Sequence, residues 1–522
     1  MMNFRQYNNC TKIVIPRNVR LSTTDFSGAF TNMQNLQYLD IDKNIENQID
    51  VISNGYVNTV CYNCGNLIKS AVCGNKVTSM YSAYANCTNL TTAVCGPNVT
   101  DMRSAYVNCT NLTTAVCGDK VDDMSYAYSN CTNLTTAVCG DKVNDMRGAY
   151  ANCTNLTTAA CGNNVTGMRS AYDNCTNLTT AVCGDKVDDM WCAYTNCTNL
   201  TTAVCGPNVT NMIETYSNCI NLTTAVCGPN VTSMSEAYTN CTNLTTAACG
   251  DKVNDMWSAY RNCTNLTTAV CGPNVIDMNN AYSGCTNLTT AVCGDKVTDM
   301  YSAYQDCINL TTAVCGPNVT DMSNAYYNCT NLTTAVCGLN VTDMYGAYRN
   351  CTNLTTAVCG PNVTRMNGAY RNCTNLTTAV CGDKVDDMGF VYSGCINLTT
   401  AVCGPNVTDM GQKINVYGVD RNTAGTYYNC HNIHGNSYFY STKVAIVCSC
   451  FNGRNTSNML NIYVQENSTT MNTCLISNIY SLTGSAIEWT NDSANKRYYN
   501  TQANIYIYPV ANVYQAKVDN GD

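Results

Sequence analysis

The chain has 522 residues, of which 39 are cysteines and 36 tyrosines, whereas only 2 are histidines and 12% are charged. This composition argues against an ordinary enzyme, and the formal net charge of −8 argues against the basic surface by which proteins bind nucleic acids or acidic membranes. A chain of this length usually folds into about three or four domains unless it is a repeat array.

The N-terminal residues 1–10 contain no recognisable targeting signal. They lack the charged start, the apolar stretch and the small-residue cleavage site of a secretory leader. No window of about 18 consecutive apolar residues predicts a membrane-spanning helix in the chain, so we expect no membrane insertion. The protein is therefore expected either to work inside a cell or to reach the outside by another route, such as release on a virus particle.

Residues 1–63 are predicted to be N-terminal capping repeats, because they contain imperfect copies of the repeat unit that follows. Residues 64–410 repeat with a period of 22 residues, since cysteines recur at this interval from Cys87 to Cys395 and a second cysteine series has the same period. A fixed period of this kind is typical of repeat proteins in which one unit cannot bury its own apolar edge and stacks on its neighbours.

The unit 87–108 illustrates how one coil is expected to fold. Residues 90–95 are predicted to form a short parallel strand, in which Thr92 and Val94 point outward by the two-residue alternation of a strand. Residues 102–106 are expected to return across the far side as a helical turn or an irregular arc. The inward-facing positions of this unit are Leu90, Ala93, Cys95, Val99, Met102 and Tyr106.

The repeated spacing L-x-x-A-x-C-x-x-x-V-x-x-M-x-x-A-Y-x-x-C resembles the BspA-like class of leucine-rich repeats over about residues 8–410. Ala93 and Cys95 stand where larger aliphatic side chains are usual in that class, and Tyr106 stands where Phe is usual. The resemblance implies a repeat solenoid with one parallel sheet. Because the class consists mostly of surface adhesins and interaction proteins, it also implies adhesion or partner binding.

The C-terminal part of the chain loses this periodicity. Residues 411–436 are predicted to be an irregular segment that ends in a last partial repeat at residues 427–433. Residues 437–522 contain strand-like runs separated by Asn, Gly and Ser, and we expect a small C-terminal all-β domain, a β-sandwich. This domain is either a terminal cap or a separate module for attachment or oligomer formation.

The cysteines could serve as disulfides, as metal ligands or as packed thiols. Cys87 and Cys95 are separated by an extended strand, which at about 3.3 Å per residue exceeds the ~7 Å Cα separation that a disulfide allows. Side chains in register on successive parallel coils also lack the usual disulfide geometry. We therefore predict stacked, reduced thiols, which act as small buried apolar groups and suit folding in a reducing compartment.

One group of residues has the composition of a metal site. Cysteine and histidine are the usual zinc ligands, and His431 and His434 are the only histidines of the chain. Their spacing matches no strong finger pattern, so a cap in which these side chains merely pack is the alternative. No cofactor is predicted. The candidate metal ligands are Cys430, His431, His434, Cys448 and Cys450.

The asparagines produce repeated N-x-[ST] motifs, for example at Asn86, Asn89 and Asn98. Such motifs are glycosylation acceptors in a eukaryotic secretory pathway. Without a leader, a structural interpretation is better, because Asn tolerates turn conformations and its side chain can bond to backbone groups. We expect a ladder of asparagines along the stack.

A comparison of the units with one another identifies positions at which the residue varies freely, after each Met and after each Tyr. These residues are expected to stack into a stripe opposite the sheet that is rich in Trp, Tyr and Arg, the residue types enriched at binding hot spots. Either the stripe recognises a ligand or exposed positions simply drift. The candidate binding residues are Tyr81, Arg103, Arg147, Arg169, Trp191, Trp257, Arg261, Tyr301, Tyr327, Tyr345, Arg349 and Arg371.

The sequence contains no nucleophile–base pair and no phosphate loop, so a non-enzymatic protein that presents an extended surface is predicted. The first hypothesis is a virion fibre or spike component, of a phage, that attaches to a host; the missing leader, the reduced thiols and the C-terminal β domain motivate it. The alternative is a cell-surface or extracellular BspA-like adhesin that binds host proteins, and an intracellular scaffold comes third. Expected partners are a host-surface protein or glycan, other virion or surface proteins, and copies of the chain in a homo-oligomer, but no nucleic acid.

Overall fold

The computed structural model describes residues 7, 9–15, 38–41, 70–72, 77–159, 161–411, 414–416, 419–421, 425–443, 451, 453–470 and 489–520. Two units can be distinguished, residues 1–255 and residues 256–522, and each is described by itself. Among the described residues, none of the helices is both long and apolar enough to span a membrane.

The strands of the first unit pair in parallel with their neighbours. The strand β1 (Lys12–Ile15) pairs with β2 (Tyr38–Ile41), and β3 (Ser70–Val72), β4 (Thr92–Val94) and β5 (Thr114–Val116) form a three-stranded sheet. In this sheet each residue pairs with the residue 22 positions later, as Ala93 does with Ala115. The 22-residue period of the sequence therefore sets the register in which the strands pair.

The alternation predicted for the strand is confirmed in β4 and β5, where both outer residues are exposed and the central Ala is buried. From the next coil onward the ladder narrows to single parallel bridge pairs, such as Thr136 with Thr158 and Thr180 with Thr202. A second row of bridge pairs joins successive coils where the arc begins, as at Asp101 and Asp123. Each regular coil thus contacts the next along two lines.

The arc of each coil is a series of β-turns, and no α-helix occurs within residues 77–159 and 161–411. The N–H of Ala105 donates to the carbonyl of Met102, and the N–H of Cys109 donates to that of Tyr106. The third residue of each turn has a positive φ, 55° at Ser104 and 62° at Asn108, as in type II turns. Of the two predicted alternatives, the irregular arc is the one that forms.

The remaining backbone groups of the arc bond to the neighbouring coil. The N–H groups of Ser104, Tyr106 and Asn108 donate to carbonyls 21 residues later at 2.8–2.9 Å, for example from Tyr106 to Ala127. The N–H groups between them close the turns within the coil. Because alternate residues serve these two purposes, the buried backbone of the arc is satisfied without a helix or a regular strand.

A stack of tyrosines fills the interior of the first unit. Rings 22 residues apart lie parallel from Tyr84 to Tyr238, with centroids 5.4–5.6 Å apart. The rings from Tyr106 onward have no exposed surface. In a representative coil the other side chains without exposed surface are Val121, Met124, Ala127, Cys131 and Leu134. Burial of these apolar side chains between coils is the main source of stability in a stacked array.

The second unit begins with the same kind of coil and the same stack, which runs from Tyr260 to Tyr392 and continues through Tyr427 to Phe451 with centroids 5.4–5.8 Å apart. From residue 402 onward, the described residues include eight named strands and a C-terminal helix. They are β6 (Val402–Cys403), β7 (Ile414–Val416), β8 (Val419–Arg421), β9 (Gly435–Phe439), β10 (Leu460–Gln465), β11 (Thr490–Asp492), β12 (Arg497–Asn500), β13 (Ile505–Val510) and α1 (Val513–Asp519).

The C-terminal segment differs from the predicted β-sandwich. The strands β6, β9, β10 and β13 are parallel members of one six-stranded sheet, to which β12 and β11 add an antiparallel edge. The strand β9 thus pairs directly with β6 of the repeat array, at Phe439 and Cys403. The described part of residues 437–522 therefore extends an existing sheet and also contains α1, so these described residues form neither a β-sandwich nor an all-β segment.

The described cysteines are free thiols, as predicted. In the first series each thiol lies in the core and donates to the carbonyl of the tyrosine 25 residues earlier, as Cys109 does to Tyr84 at 3.1 Å. In the second series the sulfur lies beside the Met seven residues later, with Cys117 Sγ 3.4 Å from Met124 Sδ. Burial raises the pKa of Cys109 to about 12, so this thiol stays protonated at neutral pH.

Candidate functional site

The variable stripe consists of two rows of side chains on the arc. We call row A the residue after each Met and row B the residue after each Tyr. In row A the aromatic side chains are 40–42% exposed although they are large and apolar. The candidate residues of row A are Tyr81, Arg103, Arg147, Arg169, Trp191, Trp257, Tyr301 and Tyr345, and those of row B are Arg261, Tyr327, Arg349 and Arg371.

A carboxylate or amide two residues earlier holds the backbone of row A. Asp189 Oδ1 accepts the N–H of Trp191 at 3.1 Å, and Asp343 Oδ1 accepts that of Tyr345 at 2.9 Å. Such side-chain bonds to the N–H two residues later are typical of Asx turns. Row A is therefore presented outward from a fixed backbone, whatever side chain it carries.

The arginines of row A are ion-paired to the same aspartate positions. Arg103 lies 2.8 Å from Asp101, Arg147 lies 3.5 Å from Asp145, and Arg169 pairs with Asp189. Burial opposes ionisation of Asp101, but its hydrogen bonds with Arg103 and the charge of Arg103 outweigh this and lower the pKa of Asp101. These arginines are thus locally neutralised.

Two of the row A arginines also lie over aromatic rings of neighbouring coils. The guanidinium of Arg103 is 5.3 Å from the ring centroid of Tyr81, and that of Arg169 is 5.3 Å from that of Trp191. These are cation–π distances. The structure therefore brings four of the predicted residues of row A together as two pairs between adjacent coils.

Row B has a different environment. Arg349 lies 5.5 Å from the ring centroid of Tyr327, and Arg371 lies 5.6 Å from that of Phe390. Neither guanidinium forms an ion pair with a described residue, and the Nε atom of each is buried without a hydrogen-bond partner. Burial and the neighbouring charge of Arg349 lower the pKa of Arg371.

Three of the five predicted metal ligands lie among the described residues, and these three do not form a metal site. Cys430 is buried and donates its thiol to the carbonyl of Tyr392 at 2.9 Å, whereas His431 and His434 are exposed. Cys448 and Cys450 lie outside the described residues. Within the part of the chain that is described, no three side chains of His, Cys, Asp or Glu could hold a metal ion together. The Cys430 thiol instead packs as the ladder cysteines do.

A shallow groove of about 780 Å³, which was not predicted, lies in the second unit along the edge of the coils. Two polar rows line it, one of Asn and one of Thr, and a Lys lies at each end. The signal was present in the sequence as the recurring N-x-T of each turn. The lining includes Asn318, Asn340, Asn362, Thr320, Thr342, Thr364, Lys296 and Lys384.

The asparagine ladder is confirmed. Asn108 donates its side-chain amide to Asn86 at 2.7 Å, and Asn111 donates to Asn89 at 3.2 Å. The first of these ladders uses residues with positive φ, 62° at both Asn86 and Asn108. The amides of these N-x-[ST] positions therefore bond to one another along the stack.

Comparisons with known proteins identify the repeat. A family model described as BspA type leucine rich repeat region (6 copies) matches residues 56–179, 124–245, 168–289, 257–377 and 301–419. No curated protein matches the chain.

Two solved structures are similar to parts of the chain. A leucine-rich repeat protein from Bacteroides ovatus matches with a TM-score of 0.50 and 17% identity, over 63% of this chain and 82% of that one. A leucine rich cell surface protein from Faecalibacterium prausnitzii matches with a TM-score of 0.35 and 20% identity, over 65% and 81%. At this identity, the first of these likenesses concerns the fold alone.

Proposed function

Because this chain belongs to the BspA-type leucine-rich repeat family, we propose that it is a non-enzymatic recognition protein of the cell surface or extracellular space. Rows A and B form its binding surface, and its partner is a host-surface protein or glycan. Family membership supports the adhesin alternative of the sequence interpretation. The virion-fibre hypothesis gains no support from the family match.

The observation that carries this proposal is the exposure of large aromatic side chains in row A. Trp191, Trp257, Tyr301 and Tyr345 each keep 40–42% of their surface exposed on a backbone fixed by bridge pairs between coils. Other coils carry Ser at the same position, for example Ser125, so the scaffold does not require an aromatic there. Rigid aromatic residues supply much contact area at low entropic cost, as binding hot spots do.

The test replaces the four aromatics by the residue that the scaffold already accepts. The full chain, wild type and with Trp191, Trp257, Tyr301 and Tyr345 all changed to Ser, is labelled and applied to arrays of glycans and of extracellular-matrix proteins. We expect the wild type to bind and the variant to lose at least tenfold in affinity. A matched control changes the exposed strand residues Val94→Thr and Val116→Thr, and it should bind as the wild type does.

Two results would contradict this proposal. One is undiminished binding of the four-serine variant with unchanged thermal unfolding. The other concerns localisation, measured by peptide mass spectrometry of cell-surface fractions and of virus particles from the source culture. Peptides in the cell-surface fraction support the proposal, and peptides confined to the particles overturn it.

A further inference from the structure

Two arginines of row B lie on consecutive coils and form no ion pair with any residue that the structure describes. Arg349 and Arg371 are 22 residues apart, and the core rings of their two coils, Tyr348 and Tyr370, are stacked 5.5 Å apart. Each arginine has an aromatic ring of a neighbouring coil beside it: Arg349 lies over Tyr327 of row B, and Arg371 lies over Phe390, which is not in row B but is the second residue after a Met on the next coil. Like charges at adjacent positions repel each other unless an anion joins them.

An arginine close to these two in the sequence differs from them in having a counter-ion. Arg365, which lies between these two in sequence, forms an ion pair with Asp343 at 2.6 Å. The carboxylate of Asp387 accepts hydrogen bonds from the N–H of Gly389 and from the side-chain amide of Asn367. Asp343 and Asp387 thus have other partners, and neither Arg349 nor Arg371 forms an ion pair with a described carboxylate.

The two arginine side chains are partly buried, and this makes the missing counter-ion costly. Both are of intermediate exposure, and the Nε atoms of both are buried without a hydrogen-bond partner. A charged donor that is removed from water and left unpaired destabilises the protein, whereas an oxyanion between two guanidinium groups forms strong charge-assisted hydrogen bonds. A protein that maintains such a pair on its surface has a preformed site for an anionic group.

We infer that Arg349 and Arg371 bind a single carboxylate or sulfate group carried by a glycan, with the exposed ring of Tyr345 packing against the adjoining sugar. This inference rests on the proposed function and names the ligand class at one place on its surface. A densely charged polyanion does not fit, since the chain has a net charge of −8 and repels it at long range. One acidic sugar in an otherwise neutral oligosaccharide avoids that repulsion.

The test uses three oligosaccharides that differ in one group: 3′-sialyllactose with a carboxylate, 3′-sulfolactose with a sulfate, and neutral lactose. Binding to the full chain is measured by isothermal titration calorimetry at low and at physiological salt. We expect at least one acidic sugar to bind ten times more tightly than lactose, and more weakly as salt is added. The two acidic arms distinguish which oxyanion is preferred.

The decisive variant is Arg349→Ser with Arg371→Ser, because row B already carries Ser at Ser283 and Ser393. It should lose at least tenfold in affinity for the acidic sugar and leave lactose unaffected. The control is Arg365→Ser, which removes an ion-paired arginine between the two and should leave sugar binding unchanged. Thermal unfolding of both variants verifies that they fold.

The outcomes separate this inference from the proposed function. Equal affinity for the three sugars, or full binding of the acidic sugar by the double variant, overturns the inference even if the wild-type chain binds the arrays through its row A aromatics. A loss of acidic-sugar binding in the Arg365→Ser control would equally overturn it, because the effect would then follow net charge and not the pair.

Discussion

The hydroxyl of Tyr216 forms two hydrogen bonds with the backbone of Val204, accepting from its N–H at 3.2 Å and donating to its carbonyl at 2.6 Å. Tyr216 lies on the arc and Val204 on the strand side of the same coil, so the buried ring spans the interior. The same pair of bonds recurs at 22-residue intervals, for example between Tyr370 and Val358. The strand backbone is thereby satisfied within the coil, which accounts for the narrowing of the sheet to single bridge pairs.

Changing Tyr216→Phe keeps the stacked ring but removes both hydrogen bonds and leaves the buried backbone of Val204 unpaired. We expect a loss of about 1–3 kcal/mol in the free energy of unfolding, the cost of an unsatisfied buried group. Urea unfolding followed by circular dichroism measures it. The control is Tyr301→Phe at an exposed ring, and equal stability of the two variants would show that the hydroxyl of Tyr216 contributes nothing.

The glycine after each strand is required by the close approach of successive coils. A Cβ at Gly316 would lie 2.8 Å from the carbonyl oxygen of Gly294 and 2.8 Å from Cys293 Sγ. Because a backbone oxygen cannot move aside, Gly316→Ala should destabilise the protein by about 1–3 kcal/mol. Differential scanning calorimetry of the full chain measures the effect.

A second glycine provides the contrast. Gly368 has φ of +65°, but a Cβ there would meet nothing within 4 Å, and the equivalent residue of another coil is Asn324 with φ of 54°. Since Asn tolerates this conformation, Gly368→Asn should change the stability by less than about 0.5 kcal/mol. A larger loss at Gly368 than at Gly316 would contradict the explanation by close contact.

Two aspartates that precede row A, Asp299 and Asp101, have pKa values shifted in opposite directions and therefore affect the stability of the folded state with opposite signs. Burial, together with the neighbouring carboxylates of Asp321 and Asp277, raises the pKa of Asp299 despite its bond from the N–H of Tyr301. The pKa of Asp101 is lowered through Arg103. Ionised Asp299 therefore destabilises the folded state, and this effect disappears as pH falls through its raised pKa. The contribution of Asp101 is favourable at neutral pH and is lost only as pH falls below the ordinary value of 3.8.

We expect Asp299→Asn to stabilise its coil at pH 7, because Asn211 accepts the same backbone N–H in another coil. The gain should shrink as the pH approaches the raised pKa of Asp299. Asp101→Asn should destabilise its coil at pH 7, and this loss should persist down to a lower pH. Hydrogen–deuterium exchange of the local peptides at several pH values measures both, and effects of the same sign would contradict the prediction.

The buried ladder thiols should be unreactive in the native protein. Burial raises the pKa of Cys109 and of Cys153 to about 12, so the reactive thiolate is scarce at pH 8. We expect iodoacetamide to label the peptides of these cysteines only after unfolding, as followed by mass spectrometry. Rapid labelling of the native chain, or peptides linked by disulfides, would contradict the packing of free thiols.

Much of the repeat could be predicted from the sequence, because its period and its inward positions depend on a few side chains. Leu90, Val99 and Met102 are completely buried, as the spacing predicts. The turns of the arc were less evident, although Asn108 and the variable residue at position 104 occupy the positive-φ positions that type II turns require. Periodic apolar residues alone do not separate a helical turn from a series of β-turns.

Three other features were not predicted. The role of the tyrosine hydroxyl was indicated only by Tyr in place of the usual Phe, and the strand residue that it bonds, such as Val204, carries no side-chain signal. The continuation of the sheet through β9, β10 and β13 was hidden because the connections between these strands vary in length, so no period marks them. Whether an arginine such as Arg103 or Arg349 pairs with a carboxylate depends on distances between coils. The residue types at these positions in the sequence do not give those distances.

The side-chain ladders of the array join residues 22 apart, from the asparagines at Asn86 and Asn108 to the threonine pair at Thr91 and Thr113. Deletion or duplication of one whole unit at a place where both neighbouring coils carry Asn and Thr at these positions would therefore bring each ladder donor opposite an acceptor of the same kind. Unequal recombination between repeated gene segments at such places would lengthen or shorten the array while keeping these hydrogen bonds. The number of presented side chains, and with it the reach of the molecule, can change between generations in steps of one coil.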